Sequence, residues 1–527
     1  MPLSLIPYAA PVLLLAAAAI GFGTRHLRGR LRLRAIEALS LAALMASLAS
    51  IAALFENGIT TGTLVGIGGW ALSARLDVVN VTMLTLVSFI GWVVVRYSTT
   101  YLDGERRQSA FMGWLCTTLA TVMLLVVAGN LGQFLLAFVA TSLCLHKLLL
   151  FYPDRVAAQR AARKKFVTAR LADAALAGAF LLLWSNYGTG DIATILSEAR
   201  GGVIAGGAST AAAALLALAA LLKSAQFPMH GWLTEVMEAP TPVSALLHAG
   251  VINAGGILLI RFADVMLLSP AVLAVLVMVG GFTALFAGMV MLTQPAVKTS
   301  LAWSTIAQMG FMIMQCGFGL FPLALLHIVA HSLYKAHSFL ASGGAVDRIA
   351  TARRPGPIAV PDGWAVGKAF LAAIALYAAI GLVFGFQHHS PQAFALGAIL
   401  IFGVAYLLAQ GLADTAPRAL MRRITLYASA ASLGYFALHA AAFRLTTQTL
   451  PPAPQPGALE WALLILAVAS FGLVAVAQSL FPLWSSHPAV AGLRVHLSNG
   501  LYANAVFDRM LGGWTMTPQS SSDWNHM

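Results

Sequence analysis

The sequence predicts an all-α polytopic membrane protein of roughly 13–16 transmembrane helices, on three observations. The chain has 527 residues, of which 59% are hydrophobic and only 9% charged; a soluble domain carries about 25% charged residues. Its apolar residues gather into runs of roughly 20, long enough to cross a hydrocarbon core about 30 Å thick. Its Lys and Arg fall between those runs, and mostly between alternate ones, as the positive-inside rule requires.

The runs lie near 3–22, 35–55, 79–97, 111–128, 131–152, 168–187, 207–226, 240–262, 270–292, 300–318, 321–345, 365–386, 393–411, 424–443 and 459–481. The stretch Pro2 to Ile20 has signal-peptide character, but no A-x-A-like site precedes a soluble domain, so it reads as the first membrane helix. The first connection carries Arg25, Arg28, Arg30, Arg32 and Arg34, and the third Arg106 and Arg107. The fifth carries Arg155, Arg160, Arg163, Lys164 and Lys165. Later connections on the same side carry Arg348, Arg353 and Arg354, then Arg418, Arg422 and Arg423. Opposite connections offer little beyond Arg75, Arg200 and Arg444. The alternation predicts a multi-pass protein of the cell inner membrane, with the N-terminus outside and the tail in the cytoplasm.

Three connections have a character of their own. Residues 153–166 fit a basic surface helix and equally a solvated loop. The stretch 445–458 reads as a Pro-rich outer loop. The tail, 482–527, mixes Arg494, His496, Asn499, Tyr502, Asn504, Phe507, Asp508, Arg509 and Trp514 with apolar residues. It reads as a partner-docking or surface-lying segment.

Net charge is +13, but the cations sit in topological clusters rather than on a polar, aromatic-interleaved face, which excludes a nucleic-acid partner and leaves membrane lipid as the surrounding one. Cys116, Cys144 and Cys316 lie in apolar stretches without CxxC spacing, so neither a disulfide framework nor a metal site follows. The sequence has no Walker A, no strand-borne GxGxxG, no HExxH and no Cys/His zinc cluster, so neither cofactor nor catalytic residue is expected. A transport subunit fits better than an enzyme.

Ionisable residues deep in a span cost about 2.5–3.5 kcal/mol on insertion scales and so mark function. Lys223 ends a long apolar run and Pro228 follows, which predicts a discontinuous helix. A lysine there fits proton transfer, or snorkelling to the interface. His248 lies two turns after Pro240 and Pro242 and is either a relay or an interhelical hydrogen-bonding group. His327, His331 and Lys335 are spaced i, i+4, i+8, stacking three ionisable groups along one face; His337 points elsewhere. That seam reads as a proton relay ahead of a structural polar seam. Lys298 sits at the start of a span and fits either the path or an anchor. Glu235 and Glu238 flank the break after Pro228 and are candidate counter-ions.

The segments LLKSAQFPMHGWLTEVMEAPTPVSALLHAG, QPAVKTSLAWSTIAQMGFM and HSLYKAHSFLASG resemble the antiporter-like membrane subunits of complex I and of Mrp-type cation/proton antiporters, over residues 75–345. The resemblance implies inverted helix repeats and a proton path through Lys223, His248, His331 and Lys335. It also implies a division into N-terminal helices (1–110), a first repeat (111–262), a shortened second repeat (263–411), C-terminal helices (412–481) and the tail. Two features depart from that family. Its fifth-span glutamate is replaced near Val139, which leaves Asp173, Glu235 and Glu238 as candidate substitutes for the partner of Lys223, and past residue 345 its later lysine motif is lost, leaving only Lys368. The shortened form, with its ending LSNGLYANAVFDRMLGGW, is similar to the membrane subunit of DAB-type inorganic carbon transporters. That similarity implies a large soluble partner with a zinc site like a β-carbonic anhydrase. The function implied is proton-coupled CO2/bicarbonate uptake. The alternatives are a subunit of a respiratory complex or a multi-subunit antiporter, and a stand-alone secondary transporter.

Overall fold

A computed structural model describes residues 3–23, 29–67, 70–202, 206–344, 363–384, 390–411 and 418–510. Arg25, Arg28, Arg348, Arg353, Arg354 and Trp514 of the sequence reading lie outside these. The helices are α1 (Ala9–Gly23), α2 (Gly29–Asn57), α3 (Val78–Tyr101), α4 (Gln108–Val126), α5 (Leu131–Leu149), α6 (Val156–Tyr187), α7 (Ile192–Arg200), α8 (Gly207–Lys223), α9 (Gly231–Glu235), α10 (Thr241–Ala249), α11 (Ala254–Arg261) and α12 (Ala263–Leu267). They continue with α13 (Pro270–Met291), α14 (Val297–Gly317), α15 (Phe321–Leu340), α16 (Gly363–Phe384), α17 (Pro391–Gly411), α18 (Arg418–Thr446), α19 (Ala458–Ser479), α20 (Phe481–Trp484), α21 (Pro488–Ser498) and α22 (Ala503–Met510).

Eleven helical segments are long and apolar enough to cross a membrane, and two shorter apolar helices, in α8 and α17, join them. The helices α14 and α15 have spanning length but more polar character, because they carry Lys298, Gln308, His327, His331 and Lys335. The unit Thr241–Arg261, made of α10 and α11, is 94% buried, whereas Ala458–Ser479 is 17% buried. The former is therefore the central post of the bundle and the latter its lipid-facing margin. Small residues let neighbours approach: a Cβ on Gly280 of α13 would stand 2.6 Å from the carbonyl oxygen of Gly310 on α14.

One element escaped the all-α reading. Strands β1 (Thr60–Ile67) and β2 (Trp70–Leu76) form an antiparallel hairpin, capping one end of the bundle where Gly129 N–H donates to Ser73 O at 2.8 Å. A buried ion cluster locks that end: Asp77, the N-cap of α3, takes Arg75 at 2.6 Å and Arg261 at 2.7 Å. Burial pushes the Asp77 carboxyl up, but the two guanidiniums and the Asn80 N–H outweigh it and hold it down at about 2.

The connections sort by contact into two ends. At one end, Arg155 meets Glu238, Lys164 meets Glu235 and Asp508, and Lys298 meets Thr241. At the other, Asn130 bridges to Asp191, Arg200 pairs with Asp264 and donates to Thr449 O. The stretch 153–166 is neither a separate surface helix nor a loop. From Val156 it is the first part of α6, whose 32 residues extend about 48 Å and exceed the hydrocarbon thickness. The Pro-rich loop is packed, not merely solvated: Gln392 Nε2 donates to Pro454 O at 2.6 Å.

Candidate functional site: a buried polar chain between two helix breaks

α8 stops at Lys223. Ser224 N–H closes on Ala220 O, Gln226 N–H returns to Leu221 O, and Ala225 sits in the left-handed region at φ 49°. That conformation costs a non-glycine residue about 1–3 kcal/mol and is found where surroundings enforce it. Pro228 follows without an N–H, and helix resumes at Gly231. Lys223 thus stands where backbone and side-chain polar groups meet inside the bundle. Its ammonium lies 3.8 Å from the Asp173 carboxylate of α6 and 3.8 Å from the centre of the Phe138 ring of α5. Arg170, one turn before Asp173, holds the other carboxylate oxygen at 2.5 Å. Lys165 is also buried; it donates to Ser142 O at 2.7 Å and Ser142 Oγ at 2.9 Å on α5.

A second break faces the first. Between α10 and α11 the chain turns through Gly250 and a short 3-10 segment, Val251–Asn253. Ser224 Oγ donates to Ile252 O at 3.2 Å, and Asn253 Nδ2 donates to Ala249 O and to Ser332 Oγ of α15 at 2.8 Å. Gly255 makes this approach sterically feasible: a Cβ there would stand 2.3 Å from Ser224 Oγ and 2.5 Å from Ala220 O.

Beyond the break, α10, α14 and α15 converge. The His248 ring stacks on Phe339 at 4.4 Å, and its Nδ1 lies 3.0 Å from Thr305 Oγ1. Since Thr305 already donates to Leu301 O, it accepts from His248, which places the proton of the neutral ring on Nδ1. Nε2 of His248 has no protein partner. His331 Nε2 lies 3.0 Å from His248 O and must donate there; its Nδ1 lies 2.6 Å from Gln308 Oε1. A doubly protonated ring satisfies both contacts as they stand, and a neutral ring does so when the Gln308 amide turns its NH2 inward. One amide rotation therefore accommodates both charge states. His327 follows one turn away, 6.1 Å ring to ring. Lys335 is fully buried; it donates to Ser304 Oγ at 2.7 Å and Leu301 O at 3.3 Å.

Lys223, His248, His331 and Lys335 are brought into one buried polar layer, with half-buried His327 at its margin. Lys298 is apart, half-buried at the end of α14, donating to Thr241 Oγ1 at 3.0 Å. Of the three carboxylates, Asp173 faces Lys223. Glu235 pairs with Lys164 at 2.5 Å and Arg160 at 3.7 Å, and exposed Glu238 pairs with Arg155. His337 is exposed. The residues missed in the sequence are Lys165, Arg170, Gln308, Thr305 and Ser304. Arg170 and Asp173 are spaced i, i+3 ahead of an apolar run, a readable signal; Lys165 stays hidden in a basic cluster until α6 is packed on α5, and Gln308, Thr305 and Ser304 are ordinary helix residues until α10 and α15 are packed on α14. Among the described residues, no group of three or more His, Cys, Asp or Glu is placed to hold a metal.

The NADH:quinone oxidoreductase/Mrp antiporter transmembrane family matches residues 128–354, and the N-terminal family of complex I chain 5 matches residues 69–112. The probable inorganic carbon transporter subunit DabB2 of Halothiobacillus neapolitanus is 38% identical over 96% of this chain and 93% of its own. The probable inorganic carbon transporter subunit DabB of Hydrogenovibrio crunogenus is 47% identical over 53% of this chain and 54% of its own. Subunit L of Escherichia coli NADH-quinone oxidoreductase is 35% identical over 51% and 44%, respectively. In the Mrp complex of Dietzia sp., one chain shares the fold across all of this chain and 58% of its own, with a TM-score of 0.58 at 22% identity. Because the likeness to DabB2 runs along nearly the whole of both chains, this protein belongs to the DabB inorganic carbon transporter subunits within the complex I/Mrp antiporter-like family.

Proposed function

We propose that this chain is the proton-conducting membrane subunit of an energy-coupled inorganic carbon uptake complex. It lies in the inner membrane with its N-terminus outside and its tail in the cytoplasm. The observation that carries the reading is a row of closely placed polar groups: half-buried His327, then His331 with the His248 carbonyl, Ser332 with Asn253, and the Ile252 carbonyl with Ser224, next to Lys223. Ionisable groups in line inside a membrane protein have little structural purpose and serve proton movement.

In this scheme protons enter from a cavity of about 720 Å³ at the outer end, lined among others by Leu323, Ser390, His439 and Arg444. Leu323 is one turn before His327. Transfer proceeds by His331, whose two charge states the Gln308 amide serves equally, with Lys335 as a side reservoir. Asp173 is the counter-ion that makes charging Lys223 affordable. Each proton moved through the potential supplies about 2.3 kcal/mol per 100 mV. That energy is delivered to a soluble, zinc-containing, carbonic-anhydrase-like partner docked on the cytoplasmic end, where CO2 is hydrated to bicarbonate. The names of the relatives support the inorganic carbon assignment.

The test is co-expression with that partner in cells lacking carbonic anhydrase, measuring intracellular inorganic carbon. Accumulation that needs both chains and collapses with an uncoupler or Lys223→Ala supports the reading. An assembled pair that accumulates none sinks it; cation/proton exchange by the chain in vesicles would then favour the antiporter alternative.

A further inference from the structure

Between α21 and α22 the tail makes a strained turn. Gly500, Leu501 and Tyr502 all take the left-handed conformation, at φ 58°, 51° and 59°. Two of the three carry a Cβ, and such backbone persists only where its surroundings enforce it. The enforcing contacts lie on both sides of the turn. Before it, Gln294 Nε2 donates to Ser498 O at 3.3 Å. After it, Asn504 and Asp508, one turn apart on α22, meet the Lys164 ammonium at 2.9 and 2.5 Å. The Asn504 amide also donates to Glu235 at 2.5 Å.

The turn rests on the far side of the first helix break. His230, seven residues past Lys223, is buried. Its ring packs on Phe227, Phe286 and Trp303, with ring centres between 5.0 and 5.7 Å apart, and its Nδ1 has no hydrogen-bond partner. Gly500 lies against this group: a Cβ there would stand 3.1 Å from the Trp303 ring and 4.0 Å from His230 Nε2. Further along, the Asn504 side chain fills the space beside Gly231, where a Cβ would collide with it. An ionisable ring thus sits just beyond the Lys223 break, and the tail closes against it.

Little apolar surface fastens this cover. α21 and α22 contribute no fully buried side chain, and only Leu497 and Phe507 of their larger apolar residues near the turn are half-buried. The rest of the grip is hydrogen bonds and the Lys164–Asp508 ion pair, so detachment forfeits little burial and lets the turn relax. A strained turn held by a few polar contacts is the kind of segment that switches between docked and released forms.

We propose that the tail from Ser498 to Asp508 is a detachable seal over His230, closing the Lys223 site from that end of the bundle until Asn504 and Asp508 let go. Its role rests on the proposed function, which makes that end the cytoplasmic exit of the proton path; the seal itself is read without any flux.

The full chain in nanodiscs, carrying His230→Cys and with the buried Cys116, Cys144 and Cys316 replaced by Ala, is treated with a small water-soluble methanethiosulfonate. Labelling should be slow, and at least about tenfold faster once Asn504→Ala and Asp508→Ala remove hydrogen bonds to a charged group and raise the open population. Both replaced side chains belong to the tail. Trypsin cleavage after Arg494 and Arg509, both exposed, makes the same comparison with His230 intact and decides the matter where His230→Cys does not fold. Labelling rates that do not differ overturn the proposal, whether both are fast or both slow, as does unchanged cleavage where trypsin is the arbiter. Proton flux in vesicles is measured on the same pair. Faster labelling with faster flux supports both readings. Faster labelling with no flux in either chain leaves the seal standing and removes conduction, whereas flux with labelling unmoved removes the seal alone.

Discussion

Asp173 and Lys223 face each other at 3.8 Å inside the bundle, and Arg170 holds the far oxygen of the same carboxylate. The carboxylate is therefore shared, and the lysine has the weaker hold on it. Asp173→Asn and Lys223→Met should each lower proton flux in proteoliposomes at least about tenfold, and the double variant should be no worse than either single one, because residues acting as a unit are not additive. Flux at the unaltered rate in Asp173→Asn would remove that carboxylate from the path.

His331 separates relay from scaffold. His331→Gln retains a donor and an acceptor for His248 O and Gln308 but cannot carry a proton. Flux should be lost while the unfolding free energy stays within about 0.5 kcal/mol of the parent. A matching drop in stability would mark the seam as structural.

Gly255 should be intolerant of even one methyl group. In Gly255→Ala the new Cβ meets Ser224 Oγ and Ala220 O, and the overpacking should cost about 1–3 kcal/mol, read as a lower unfolding midpoint. An unchanged midpoint would mean that the two breaks are not locked together.

Asp77 anchors the hairpin end. Asp77→Asn leaves Arg261 buried without its counter-charge, a loss of about 3–5 kcal/mol. Because the carboxyl is held down at about 2 from 3.8, its contribution is fully present above about pH 4 and is lost as pH falls toward and through 2. Unfolding midpoints of parent and variant measured from pH 7 to pH 2 should converge only at the acid end.

Much of this was legible because membrane spans write themselves in composition. The 3.6-residue period likewise put His327, His331 and Lys335 on one face of α15 before any packing was known. The partner of Lys223 was legible only as one name among three, since hydropathy gives depth along a helix and not which neighbour it meets. Lys164 and Lys165 read as part of a basic, solvated connection, yet both are buried. One is neutralised by Glu235 and by Asp508, 344 positions later, and the other donates to the uncharged oxygens of Ser142 on α5. The hairpin at 60–76 was missed because its alternation, interrupted by glycines, is short and lies in what reads as a connection. The bend at Gly250 left no proline to announce it.

Lys164 and Lys165 are consecutive residues on a single uninterrupted rod. The first is clasped by Glu235 and the tail residues Asn504 and Asp508; the second points into the interior against Ser142. Successive residues on a helix are set about 100° apart, so a twist of α6 about its own axis swings both ammonium groups together. Release of the tail would therefore leave Lys164 buried with Glu235 as its ion-pair partner, on the same rod that carries Lys165 and Asp173 to the Lys223 site.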